Sequence, residues 1–208
     1  MNNSVDSVVQ NAAAAISSGG VIAYPTSSIW GLGCAPSQEQ ALLRIFQIKQ
    51  RPSSKGLILV AGAWAEFADY FPSLTAEQIN RIIAPTPHPC TWLVEDKANK
   101  VSELVKGDNA KVAIRIDQHP FVKEVCSVLQ HPITSTSANP QGEEPATDAA
   151  MIRKYFGDAI DYVVDAVDAI DASHDASGSS GSGSSAMGIS GRPSIIRDLA
   201  SGEYIRGL

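Results

Sequence analysis

Apolar residues recur at Val8, Ala12, Ala15 and Ile16. That spacing predicts a helix over 5–18, stopped by the pair Gly19-Gly20. The run V-I-A-Y-P, Val21 to Pro25, predicts a buried strand that empties into a polar loop, T-S-S-I-W-G-L-G. Ser37 is placed to open the next helix, with Gln40 completing a capping box. Ala41, Leu42, Ile45, Phe46 and Ile48 give that helix a broad apolar face, and Pro52 in K-Q-R-P forbids its continuation. Gly56 to Ala61 is a second run of strand length, and short helices are predicted over 63–70 and 75–83. P-T-P-H-P makes a stiff turn before the strand T-W-L-V-E, and V-A-I-R-I, Val112 to Ile116, is a strand with one basic residue inside it. Pro120 suits the first turn of a helix that runs to about Leu129. Ile133 then opens I-T-S-T-S-A-N-P, an apolar strand start that ends in hydroxyls and an amide. A helix over 147–156, a strand at Tyr162-Val163-Val164, and two short strands in P-S-I-I-R-D-L and E-Y-I-R-G complete the pattern.

Strands alternating with helices indicate an α/β fold with a mixed β-sheet, and no linker divides the 208 residues into balanced halves. The chain therefore reads as one domain, 1–208. Residues 165–191 depart from this texture. Aspartates recur at 165, 168, 171 and 175, followed by S-G-S-S-G-S-G-S-S, the composition of a solvated, flexible excursion at about 168–191.

The 44% hydrophobic and 18% charged content is that of an ordinary globular protein, and a net charge of −6 gives no global basic field for nucleic acid. Three widely spaced cysteines form no ligand pattern and suit a reducing cytosol. No basic region followed by an apolar run opens the chain, and no apolar run is long enough to span a bilayer. The expected location is cytoplasmic.

Four stretches carry candidate chemistry. Lys49, Arg51 and Lys55 fall within seven residues at a helix end and the loop after it. Basic residues favour helix C-termini and commonly lie solvated there; the alternative is an anion clamp, with Arg as a bidentate fork and Lys as a movable point charge. Arg115 inside an apolar strand needs a carboxylate, a phosphate or water if it is buried, and nothing if it lies on a solvated face. The P-T-S-S loop and the I-T-S-T-S-A-N-P segment both place hydroxyls where a strand ends, the usual ligand position in open α/β sheets. Other signals fail. G-S-G-S-S-A at 181–186 fits a dinucleotide pattern but lies in low-complexity sequence. His88, His119 and His131 each precede a proline, without metal-site spacing. Cys126, among apolar neighbours, reads as core.

Taken in order, these stretches resemble a known family. G-G-V-I-A-Y-P-T-S-S-I-W-G-L-G-C resembles its opening strand and loop, I-K-Q-R-P followed by K-G-L-I-L resembles its lysine–x–arginine segment, and C-T-W-L-V, V-A-I-R-I-D-Q-H-P, S-T-S-A-N-P-Q-G, P-S-I-I-R-D and Y-I-R-G follow in the family order. The chain is similar to the YrdC-like family, specifically the short bacterial threonylcarbamoyl-AMP synthases, over about 10–164 and 191–207. The resemblance implies a twisted mixed sheet with a concave, basic active surface. It implies formation of L-threonylcarbamoyladenylate and pyrophosphate from L-threonine, bicarbonate and ATP, with Mg²⁺ accompanying the ATP and no protein-ligated metal. Partner proteins would then carry the threonylcarbamoyl group to an adenosine beside the tRNA anticodon, with at most a weak tRNA contact by this chain.

By position, the resemblance places Lys49, Arg51 and Lys55 on the ATP phosphates, Lys49 and Arg51 being the catalytic pair. Asn139, Thr147 and Arg206 would contact nucleotide. Ser28, Arg115, Ser137 and Ser194 would contact threonine, with Thr26 supporting the same loop. Strand alternation predicts Thr136 turned away from Ser137. Two positions depart from the family pattern: His88 replaces a turn glycine, and Val60 stands where many relatives carry a histidine. A different class, an RNA-binding module holding tRNA or ribosomal RNA without turnover, is disfavoured by the acidic balance and by the lack of stacking aromatics near Lys49–Lys55.

Overall fold

The apolar runs become the centre of one nine-stranded mixed sheet. The computed structural model describes residues 3–164 and 189–206, with side chains described from 7 to 164 and from 189 to 205. The strands are β1 (Ile22–Tyr24), β2 (Gly31–Gly33), β3 (Ile58–Ala61), β4 (Cys90–Val94), β5 (Val112–Ile116), β6 (Ile133–Ser137), β7 (Tyr162–Val163), β8 (Ile195–Asp198) and β9 (Tyr204–Arg206). Their order across the sheet is β7-β1-β2-β6-β3-β5-β4-β8-β9. β1 with β7, β3 with β5 and β4 with β8 run parallel, and the other neighbours run antiparallel. The fully buried Leu59, Ile114 and Ile133 show why the continuous apolar runs, rather than the alternating ones, lie centrally.

Helices α1 (Asn3–Ser17) and α5 (Pro120–Leu129) pack together, burying Val8, Val9, Ala12, Ala13 and Ile16 of one and Phe121, Val122, Val125 and Cys126 of the other. Pro120 occupies the first turn of α5 as the sequence predicts, and the ring of His119 caps it by accepting the Phe121 N–H at 3.2 Å. Helices α2 (Glu39–Ile48), α3 (Ala76–Ile83), α4 (Glu103–Lys106) and α6 (Ala149–Phe156) complete the layers. The Thr75–Gln78 capping box opens α3.

Three features differ from the pattern-based expectation. G-L-G is strand β2 rather than loop, because glycine alone fits there: a Cβ on Gly33 would lie 1.9 Å from the Thr134 carbonyl oxygen. The expected Ser37–Gln40 capping box does not form; Gln38 precedes α2 and makes no side-chain cap bond. The short helix α4, without an apolar repeat of its own, was not expected. The excursion at 168–191 lies outside the described residues except for its last three, 189–191.

Candidate active site

The pleat of the sheet builds the floor of a cleft. Leu93, Ala113, Ile58 and Ser135 stand in register across β4, β5, β3 and β6, so their side chains share one face. All four line a cleft of about 370 Å³. Two residues further along β5 and β6, and so on the same face, come Arg115 and Ser137. Loops raise the walls: Thr26, Ser28 and Trp30 from the β1–β2 connection, Arg51 and Lys55 from the segment after α2, and Ser194 from the approach to β8. Lys106 at the end of α4, with Asn109 and Lys111 between α4 and β5, adds further polar wall.

Arg115 is 4% exposed, and its charge is balanced by Asp117, which is fully buried just beyond β5. Arg115 Nη2 lies 2.8 Å from Asp117 Oδ2. The other carboxylate oxygen accepts the backbone N–H groups of Ser27 at 2.9 Å and His119 at 3.0 Å. The sequence argument that a buried Arg115 requires an anion is thus met from two residues away. The β1–β2 loop is fixed internally as well: Thr26 Oγ1 donates to the Ile29 carbonyl at 2.8 Å and accepts the Ser28 N–H at 3.1 Å. The chain returning toward β8 docks on it, through Ser28 Oγ to the Arg192 carbonyl at 2.6 Å, Ser190 N–H to the Ser27 carbonyl at 3.0 Å, and Gly191 N–H to the Ser28 carbonyl at 2.9 Å. Ser194 Oγ lies 2.8 Å from Thr91 Oγ1. Val60, buried, pairs with Arg115 across β3 and β5 and gives it an apolar neighbour.

The three cations of the sequence motif part company. Gln50 adopts a left-handed φ of 51°, which breaks the helical course between Lys49 and Arg51. Lys49, 3% exposed, donates to the carbonyls of Ser137 and, at 2.6 Å, of Asn139, and it is not among the cleft-lining residues. Burial first, and Arg51 second, push its ammonium down to about 8. Arg51 Nη2 donates to the Gly56 carbonyl at 3.2 Å, and Lys55 is exposed at the rim.

Asn139 and Thr147 also stand outside the lining. Asn139 Nδ2 donates to the carbonyls of Pro140 at 3.0 Å and Glu143 at 2.6 Å, shaping the turn after β6. Its Oδ1 is buried without a hydrogen-bond partner among the described residues. Thr147 is exposed. Arg206 ends β9, and its side chain lies outside the described part of the chain. Thr136 also borders the cleft, between Ser135 and Ser137 on β6, whose strand geometry extends through all three. Ser135, Asp117, Lys106 and Lys111 are not among the residues that the sequence motifs single out. Alternation from Ser137 would have found Ser135, whereas Lys111, paired with Asp198, looks like any solvated lysine. Cys34, Cys90 and Cys126 are buried free thiols, and burial pushes Cys34 up to about 11, which leaves no thiolate at neutral pH.

Known proteins share this architecture. In solved structures, an H234A/Y235A form of P. abyssi Sua5 superposes with a TM-score of 0.70 at 23% identity, covering 92% of this chain and 52% of that one. E. coli YciO gives 0.70 at 21% identity, covering 95% and 87%. P. abyssi Sua5 complexed with L-threonine gives 0.66 at 26% identity, covering 74% and 45%. In sequence, the chain is 37% identical over 198 residues to a threonylcarbamoyl-AMP synthase of Chromohalobacter salexigens, covering 95% of this chain and 96% of the relative. It is 39% identical to that of Hahella chejuensis, covering 95% and 97%. A family model named Sua5/YciO/YrdC and described as telomere recombination matches residues 14–177, and the chain belongs to that family.

Proposed function

We propose that the chain is a threonylcarbamoyl-AMP synthase, a nucleotidyltransferase that forms L-threonylcarbamoyladenylate and pyrophosphate from L-threonine, bicarbonate and ATP. The product serves threonylcarbamoyladenosine modification of tRNA next to the anticodon. Relatives of that name match the chain almost end to end. The observation that carries the reading is one cleft with a buried, carboxylate-anchored guanidinium on its floor, hydroxyls beside it, and cations toward its mouth.

The chemistry suits those walls. The threonine amine and bicarbonate condense to a carbamate with loss of water. A carbamate oxygen attacks the α-phosphorus of ATP, the bond to the β,γ-diphosphate breaks, and pyrophosphate leaves with the electron pair. Anion meets anion throughout, so fixed positive charge lowers the barrier more than covalent help would. Arg51 and Lys55 supply that charge to the phosphates. Arg115 receives the threonine carboxylate, with Ser28, Ser137 and Ser194 near the hydroxyl and amine ends and Thr26 holding their loop. Lys49 acts on nucleotide through the Ser137–Asn139 turn it grips, while Asn139, Thr147 and Arg206 border the nucleotide beyond the cleft. Among the described residues no aspartate or glutamate lines the cleft, and no His/Cys/Asp/Glu group could hold a metal. Magnesium enters on the ATP phosphates, as part of the substrate. Among the described residues no helix is long and apolar enough to cross a membrane. We place the reaction in the cytoplasm, with downstream threonylcarbamoyl-transfer proteins taking the labile product and tRNA touching this chain weakly.

The test is incubation with ATP, L-threonine and bicarbonate. Threonine-dependent pyrophosphate release is expected. Its absence with folded protein overturns the proposal, and steeply salt-dependent RNA binding in its place would make the chain an RNA-binding module.

A further inference from the structure

The reaction as proposed makes no use of Asp117, yet this fully buried carboxylate joins three parts of the site. Oδ2 holds Arg115 at 2.8 Å, and Oδ1 holds the Ser27 N–H in the β1–β2 loop and the His119 N–H ahead of α5. A surface aspartate would do none of this; an internal one is tolerated because each of its oxygens meets a cation or an N–H donor. Arg115 is not used up by the pairing. It still lines the cleft, and among the described residues its Nε has no hydrogen-bond partner, so Asp117 does not exhaust its donors. The flanking peptide bonds of Ser27 then hand the constraint onward. The Ser27 and Ser28 carbonyls accept from Ser190 and Gly191, and Ser28 Oγ donates to Arg192, two residues before Ser194.

We propose that Asp117 is a positioning residue for the amino-acid substrate: it sets the Arg115 guanidinium and the β1–β2 loop in one fixed relation, so that an α-carboxylate meets preformed donors. The proposal rests on the reading of Arg115 as the carboxylate donor of a threonine site. Asp117 acts through Arg115 and Ser27, not on the reacting atoms.

The test uses Asp117→Asn in the full chain, which keeps an oxygen for the two N–H groups and removes the charge facing Arg115. Calorimetry measures binding of L-threonine, of L-threoninol (the same molecule without its carboxylate) and of ATP. A ratio of affinities is independent of the fraction of protein that is active. The wild type is expected to prefer threonine. In the variant, threonine should weaken on the order of tenfold or more, as misplacement of a binding group does, while threoninol and ATP stay within about twofold, so the preference for the carboxylate falls. An unchanged preference overturns the proposal. So does an equal loss for threonine and ATP, which is what a purely structural role gives. If Asp117→Asn does not fold, Asp117→Glu keeps the counter-charge and displaces it by one methylene; it should lose the same preference, and an unchanged preference again overturns the proposal. A wild-type chain that binds no threonine removes the reading of the site itself; wild-type binding with an unaltered variant removes only the role of Asp117.

Discussion

Replacing Lys49 by methionine should change how stability depends on pH. Lys49 is 3% exposed, and its ammonium is pushed from 10.5 down to about 8, by burial above all and then by Arg51. The unfolded chain keeps this proton up to the ordinary lysine value, while the folded chain releases it from about 8 upward. Between those values the unfolded state binds more protons, so the wild type gains stability as pH rises, whereas the methionine variant lacks this contribution. Each unit of displacement is worth about 1.4 kcal/mol, and the wild type should gain about 2 kcal/mol on the variant between pH 7 and pH 9.5. The neutral amine still has two protons for the Ser137 and Asn139 carbonyls, so deprotonation need not break the turn. Urea unfolding of both proteins at the two pH values gives the number, because titration of every other group cancels in the difference. The opposing physics is explicit: those same carbonyls favour the charged form. If they outweigh burial, the difference will stay flat or fall with pH, and either result refutes the desolvated lysine described above.

Arg51→Ala should weaken ATP binding by about 10- to 100-fold, the loss of one charge-assisted contact, with the far-ultraviolet circular dichroism unchanged; nucleotide affinity within about twofold of wild type would remove Arg51 from the site. Gly33→Ala would place a methyl 1.9 Å from the Thr134 oxygen and 3.0 Å from the Tyr24 ring. It should cost about 3 kcal/mol or more in urea unfolding, a backbone collision that no rotamer relieves. A loss below about 1 kcal/mol would mean that β2 can move off β6. Asp198 is held below the usual carboxylate range chiefly by the hydrogen bond from Lys111, then by the Ser201 N–H. Its contribution is therefore complete above the ordinary aspartate value and is lost as pH falls through the lower folded value. Asp198→Asn should lower the melting temperature at neutral pH and flatten the acid side of the melting profile; parallel profiles would refute this.

The fold was legible wherever burial made a pattern. β3 is a continuous apolar run because both faces of a central strand are covered, β5 interrupts such a run only at Arg115, and α5 declared itself through Pro120 and its apolar stripe. β2 was not legible, since the property that makes G-L-G a strand is the absence of side chains where two backbones approach, and absence has no periodicity. The helix start at Glu39 was hidden for a related reason: Ser37 offers a cap that the backbone does not take up.

The site was half legible, and the half that was missed follows from what a linear reading cannot weigh. Lys49, Arg51 and Lys55 look like one clamp because charge is read along the chain. The left-handed turn at Gln50 separates them, and the helix end buries Lys49 against a strand 88 residues away in sequence. The segment I-T-S-T-S-A-N-P is therefore more than a wall. Its Ser135 and Ser137 face the cleft, and the carbonyls of Ser137 and Asn139 anchor the lysine whose neighbours line it. Lysine–x–arginine and serine–x–asparagine are thus one unit, joined by two hydrogen bonds. Substitution at Lys49 should then disturb Asn139 before it disturbs charge at the phosphates: Lys49→Arg, which keeps the charge but cannot match an ammonium's compact fit between two carbonyls, should impair nucleotide affinity nearly as much as Lys49→Met. Wild-type affinity in Lys49→Arg with loss in Lys49→Met would show that charge alone matters there.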